Sequence, residues 1–173
     1  MIQFTTGSKT IIKDLGSLID DDTNQGISVH NPCSSWGGDI VADAFGKLYL
    51  FSANHSVFII DPETRITTYK GSVSNLTGTF SINGAAVIDD NSVLVSSANT
   101  FEGYYKVDIN TLAAVKIKTT AKIYNASDLA SSNLLHQQEF DKNMNHPQIN
   151  NAEVIGNRFI SIYPNPAINN QVM

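Results

Sequence analysis

An all-β fold is predicted for this chain by three observations. Short apolar runs punctuated by Gly, Asn, Asp and Ser recur from about residue 38 to 117. None of them keeps the i, i+3, i+4, i+7 spacing of an amphipathic helix for long. A block of four such runs is followed directly by a second block with the same internal order.

The first block places strands at Asp39 to Asp43, Lys47 to Ser52, Val57 to Asp61 and Ile66 to Lys70. Phe45-Gly46 supplies the first turn. The second block places them at Ala85 to Ile88, Ser92 to Ser96, Tyr104 to Asp108 and Ala113 to Lys118, with Asp89-Asp90-Asn91 as its first turn. Setting Gly38 against Gly84 matches Ile40-Val41 with Ala86-Val87 and Asp43 with Asp89. Ser52-Ala53-Asn54 recurs as Ser97-Ala98-Asn99 at an offset of 45, and Asp61-Pro62-Glu63-Thr64 as Asp108-Ile109-Asn110-Thr111 at an offset of 47. The insert Phe101-Glu102-Gly103 accounts for part of the difference. In the repeated Asp-x-x-Thr, Asp and Thr are expected to close the turn between third and fourth strands by bonding their own backbone.

Four short strands in a period in the mid-forties are what one blade of a β-propeller requires, because such a sheet buries both faces only between neighbours. The expected organisation is a partial preceding blade at 1–36, blades at 37–83 and 84–120, a partial following blade or linker at 121–156, and a tail at 157–173. Ser127-Asp128-Leu129 repeats Ser74-Asn75-Leu76, which marks the approach to a third unit. Two blades cannot close a ring, since propellers need about four or more. The missing blades are therefore expected elsewhere in a longer protein or in other copies of the chain.

Composition narrows the function classes. The 173 residues are 42% hydrophobic and 16% charged, an ordered globular balance. The net charge is −5, and no basic cluster is denser than Lys116-Ile117-Lys118, so no face suits nucleic acid. Wholly apolar runs stop at four residues, as in Val57-Phe58-Ile59-Ile60, too short for a spanning helix. Met1 to Gly7 has neither the basic nor the apolar region of a secretory signal. A single cysteine, Cys33, allows no internal disulfide.

The stretch Gly37 to Leu50, followed by Val57 to Thr64, resembles blades of secreted bacterial propeller proteins. A second, sharper resemblance lies in Phe159-Ile160-Ser161-Ile162-Tyr163-Pro164-Asn165-Pro166-Ala167, which is similar to the opening of the type A sorting domain of type IX secretion. That resemblance implies export across the outer membrane, with Tyr163, Pro164, Asn165 and Pro166 as the sorting motif and a location outside the cell or on its surface. The chain departs from the pattern by stopping at Met173.

Candidate sites are few. Ser35 and Trp36 precede the strand expected to be innermost, where Trp36 could stack on a sugar or an apolar group. The alignment that sets Ile82 opposite Trp36 favours a repeated packing position instead. Asp20, Asp22 and Asn24 carry oxygens at alternate positions, as a Ca²⁺ loop begins, but Gly26 is one place late and Asn31 stands where a closing Glu is needed. A solvated acidic loop without a cofactor is the expectation. His30, His55, His136 and His146 are spaced too widely for a helix-borne zinc pair, and His30 with Cys33 makes only two ligands. Asp43, Asp61, Asp89 and Asp108 sit at matching places in both units, which argues for turns rather than catalysis. The reading is a non-catalytic scaffold for a glycan or protein ligand. The alternative is an extracellular lyase or hydrolase whose catalytic residues lie outside this chain.

Overall fold

The computed structural model describes residues 1–5 and 11–143. It is an all-β structure of antiparallel sheets with one short helix. A hairpin of β1 (Ile2–Thr5) and β2 (Ile11–Asp14) comes first, then the two-residue β3 (Ile19–Asp20) and a single 3₁₀ turn at Asp22–Asn24. The first large sheet is an antiparallel meander of β4 (Asp39–Ala42), β5 (Leu48–Phe51), β6 (Ser56–Ile60) and β7 (Ile66–Ser72), with β3 added in parallel outside β7. The second is a meander of β8 (Gly84–Asp89), β9 (Ser92–Ser96), β10 (Tyr105–Asp108) and β11 (Ala114–Lys116). Among the described residues the sheets do not close a ring.

Strand-to-strand register corrects the internal alignment by one residue. Asp39 lies opposite Phe51, and Gly84 lies opposite Ser96. Phe51 and Ser96 are 45 apart, so the partner of Gly84 is Asp39 rather than Gly38. A slip of one residue in a strand exchanges its two faces, so the correction decides which side chains are equivalent.

The two sheets pack through unlike faces. The first presents Val41, Tyr49, Phe51 and Val57 to the common core, and the second presents Ala85, Val87, Val93, Val95, Tyr105 and Val107. At an offset of 45, Tyr49 corresponds to Leu94, on the opposite side of the second sheet from Val93 and Val95. The leading face of one unit therefore meets the trailing face of the next, as in a stack of like units. Phe80 closes this layer edge-on against Tyr105, with ring centroids 4.9 Å apart.

Both Asp-x-x-Thr turns are built alike. The Asp61 carboxylate accepts from the backbone N–H of Glu63 (2.9 Å), and that of Asp108 accepts from Asn110 (3.0 Å) and Thr111 (2.8 Å). Each turn ends in a left-handed residue, Arg65 at φ 68° and Leu112 at φ 55°. A further repeat, not recognised in the sequence, sits beside them: Gly16-Ser17 matches Gly71-Ser72. Both glycines have positive φ, and a Cβ would lie 2.6 Å from Arg65 Nη1 at Gly16 and 2.8 Å from Leu112 Cδ1 at Gly71. Beyond each glycine the chain runs parallel to the outermost strand of the following sheet. Ile19 donates to the carbonyl of Arg65 and Ser74 to that of Leu112, both at 2.9 Å.

Residues 121–136 contain no strand of either sheet; they cross the second sheet and then run between β4 and β8. Ser96 Oγ donates to the Ala126 carbonyl (3.0 Å), and Asn133 Nδ2 donates to that of Val87 (3.2 Å). Leu135, fully buried, donates to the Ala42 carbonyl (3.1 Å) and accepts from Ala44 N–H (2.9 Å), so it pairs with the free edge of the first sheet. The helix α1 (Gln137–Asn143), not expected from the sequence, then bridges the bottom of both sheets. Phe140 meets Phe45 edge-on at 5.5 Å, and Asp90 accepts from Gln138 N–H at 2.7 Å.

Leu135 is thus the peg between the sheets. Leu135→Ala is expected to cost about 2–5 kcal/mol, the usual range for a buried leucine whose cavity collapses only in part. Urea unfolding followed by circular dichroism measures it; a loss below about 1 kcal/mol would show that residues 121–136 are not part of the core.

Candidate functional site

Trp36 does not pack in the core. Its side chain is 55% exposed, whereas Ile82 is fully buried. Two causes separate them. The corrected register pairs Trp36 with Ser81, and Ile82 has a preceding sheet to enter, where its N–H donates to the Ala53 carbonyl (3.2 Å). Trp36 is held by its backbone, whose carbonyl accepts from Ala53 N–H (3.1 Å), so the indole is presented from a fixed support. Ser35 is half-buried, its N–H donating to the Asn31 carbonyl (2.8 Å). The segment is tied down further by Asn54, which donates to the Cys33 carbonyl.

In the acidic loop, oxygens of Asp20, Asp21 and Asn24 are taken up by internal hydrogen bonds. Asp20 accepts from Val29 N–H (2.8 Å) and from the Ser28 hydroxyl, and Asp21 caps the 3₁₀ turn by accepting from Thr23. The Thr23 hydroxyl bond holds Asp21 below the usual carboxylate range. Asn24, expected in solvent, is buried: its amide donates to the Thr67 carbonyl (2.9 Å) and accepts from Tyr69 N–H (2.7 Å), extending the sheet beyond β3. Among the described residues no three His, Cys, Asp or Glu side chains come together around a metal-sized space. The His30 ring lies 3.0 Å from the Leu18 carbonyl, and Cys33 is exposed. His146 and the motif at Tyr163, Pro164, Asn165 and Pro166 lie outside the described residues.

Two carboxylates passed over in the sequence occupy the most constrained positions. Asp39 has no acidic counterpart, since its ladder equivalent is Gly84. Its Oδ2 accepts from Ala85 N–H of the second sheet (2.7 Å) and from Leu129 N–H (3.2 Å), and its Oδ1 accepts from Ile40 N–H (2.7 Å). Burial pushes its pKa up, against the lowering effect of these three bonds. Gly84 leaves the space that Leu129 fills: a Cβ there would lie 2.9 Å from Leu129 Cγ. Asp39 is therefore a junction between both sheets and the crossing segment.

Glu102 belongs to the insert that breaks the repeat. Its carboxylate accepts from Thr77 Oγ1 (2.7 Å), Thr79 Oγ1 (3.1 Å) and Tyr105 Oη (3.2 Å). The Thr77 bond chiefly holds it below the normal glutamate range, so it is a poor proton acceptor. It lines an open cleft of about 620 Å³ with Phe101, Lys116, Lys118 and Ile123. The cleft offers ammonium groups and an exposed phenyl ring, which suits contact with a ligand better than proton transfer.

The turn carboxylates pair within their own sheets. Lys47 Nζ reaches Asp61 at 2.8 Å and Lys106 Nζ reaches Asp89 at 2.7 Å. The Lys47 bond draws the Asp61 pKa down to about 2. Tyr49 is pushed up to about 12, first by burial and then by Asp43 beside it. These shifts arise from pairs formed within a single sheet, and the two ion pairs occupy different places in the two units. Among the described residues no helix is long and apolar enough to cross a membrane. Comparison with protein-family models, with curated proteins and with solved structures finds no match for this chain.

Asp39 gives a test with a definite sign. Its folded-state pKa lies above the ordinary 3.8, so the native state binds the proton more tightly than the unfolded chain. Stability then falls as pH rises through the window from 3.8 to the raised value, and remains at the lower level at neutral pH. Asp39→Asn keeps an acceptor without the charge and is expected to be at least as stable as the parent at pH 7. Asp39→Ala strands the N–H groups of Ala85 and Leu129 and is expected to lose about 1–3 kcal/mol. Urea midpoints of the three proteins at pH 7 decide; an Asn variant no better than the Ala variant would sink the assignment.

Proposed function

We propose that the chain is a segment of a secreted or cell-surface β-propeller that serves as a non-catalytic scaffold for a glycan or protein ligand. The observation that carries the reading is the stacking itself: two four-stranded meanders in succession, equal in strand order, joined leading face to trailing face. Units that meet through unlike faces leave an unmatched face at each end of the stack, and further units are the direct way to cover them. An array of this kind supports closure into a ring once enough units are present. The export reading rests on the Tyr163-Pro164-Asn165-Pro166 tail and its resemblance to a sorting domain.

Chemistry at the described residues supports binding over catalysis. The carboxylates with shifted pKa values have their oxygens taken up by backbone N–H groups, hydroxyls or lysines. Trp36 and Phe101 beside the cleft instead expose aromatic surface. Full-length protein is expected to retain a glycan or protein on arrays and in pull-downs, and to leave polysaccharides uncleaved. Turnover would overturn the non-catalytic part, and blanks in both binding formats would overturn the scaffold.

A further inference from the structure

The trailing face of the second sheet is completely covered. Ala85, Val93 and Val95 are buried there under Val41, Tyr49 and Phe51 of the first. By the corrected register the same three positions in the first sheet are Ile40, Leu48 and Leu50. Ile40 is 49% exposed, and Leu48 and Leu50 are only half-buried. The outer half of that face is different: Phe58, Ile60 and Thr67 are buried, with β3 and Asn24 bonded along β7 beside them. Trp36 stands exposed four residues ahead of Ile40. The bare surface is therefore confined to the inner two strands.

The outer side of this face is already arranged as a junction between units. β1–β2 runs toward Gly16 as β6–β7 runs into Gly71, and each glycine is wedged against the left-handed residue of the next sheet. An antiparallel strand pair thus leads into the first sheet through Gly16 as the third and fourth strands of a unit lead into the second through Gly71. Among the described residues, what lacks a counterpart is the inner pair.

We infer that the inner half of the first sheet, Ile40, Leu48 and Leu50 with Trp36 at its approach, is the docking surface for the inner hairpin of a further unit of this repeat. The inference rests on the propeller reading. The occupant would offer large branched or aromatic side chains at alternate positions, as Val41, Tyr49 and Phe51 do. A second folded copy of this chain has no such hairpin free among its described residues. Its first sheet spends that face on the second, and Ala86 and Leu94, on the leading face of the second, are buried on the side where residues 125–133 cross.

Trp36 is the only tryptophan, so tryptophan emission comes from the approach to this surface alone. The probe is a synthetic peptide of residues 37–55, which contains no tryptophan. Because an isolated hairpin is barely ordered, a second form carries the same segment fused ahead of Met1 through a Gly/Ser linker, at an effective concentration of about a millimolar. A saturable blue shift of Trp36 emission and loss of its quenching by acrylamide are expected, weakened roughly tenfold or more by Ile40→Ser. No shift in either form, with a β-type circular dichroism spectrum retained, overturns the docking surface and leaves the propeller reading standing. A helical or unfolded spectrum would remove both. A shift that grows with chain concentration alone, with dimeric mass in light scattering, would assign the face to a second copy and overturn the proposed occupant.

Discussion

A four-stranded sheet of this size has two apolar faces and cannot shield both by itself, and the architecture of the chain follows from that constraint. Tyr49, Phe51 and Val57 on one sheet and Val93, Val95 and Tyr105 on the other exclude water from a single shared layer. Every other covering segment answers the faces left over. Residues 121–136 lie over one side of the second sheet and then enter the seam with Leu135. Residues 17–30 lie along the outer part of the first, with Asn24 acting as a strand residue through its amide.

Polar groups at the seams are ordered by the same requirement. Where a strand edge would leave N–H groups without partners, a carboxylate or a crossing carbonyl is brought to them. Asp39 accepts from both Ala85 and Leu129, and Ala42 and Ala44 are paired by Leu135. Asp39 is held at the cost of a raised pKa, a sign that its charge is tolerated for its acceptor geometry rather than favoured. The turn carboxylates experience the opposite balance. Asp61 is half-buried beside Lys47 and is stabilised as an anion by the Lys47 ammonium.

Aromatic side chains show how position in the stack decides role. Phe80 and Tyr105 lie between sheets and build the core, while Trp36 and Phe101, at 55% and 78% exposure, lie where no sheet covers them. Trp36 leads into a sheet whose inner strands, among the described residues, have no sheet packed on the face that carries Ile40, Leu48 and Leu50. Phe101 sits in an insert with no counterpart in the first unit, and that break in the repeat was the one signal in the sequence that pointed to the cleft beside it.

Much of the strand plan was determined by sequence alone. Alternating apolar runs bounded by Gly, Asn and Asp place eight strands within a residue or two, because each run must put one set of side chains inward and each turn must accept its own backbone N–H groups. The Asp-x-x-Thr turns were legible for the same local reason. Only the tertiary structure decided the register that corrects the alignment by one residue, the exposure of Trp36, the burial of Asn24, and the passage of residues 121–136 between β4 and β8. These depend on what lies across a sheet face or beside a strand edge, and residues distant in sequence supply it. Local pattern specifies which side chains seek cover; it does not say which part of the chain provides it.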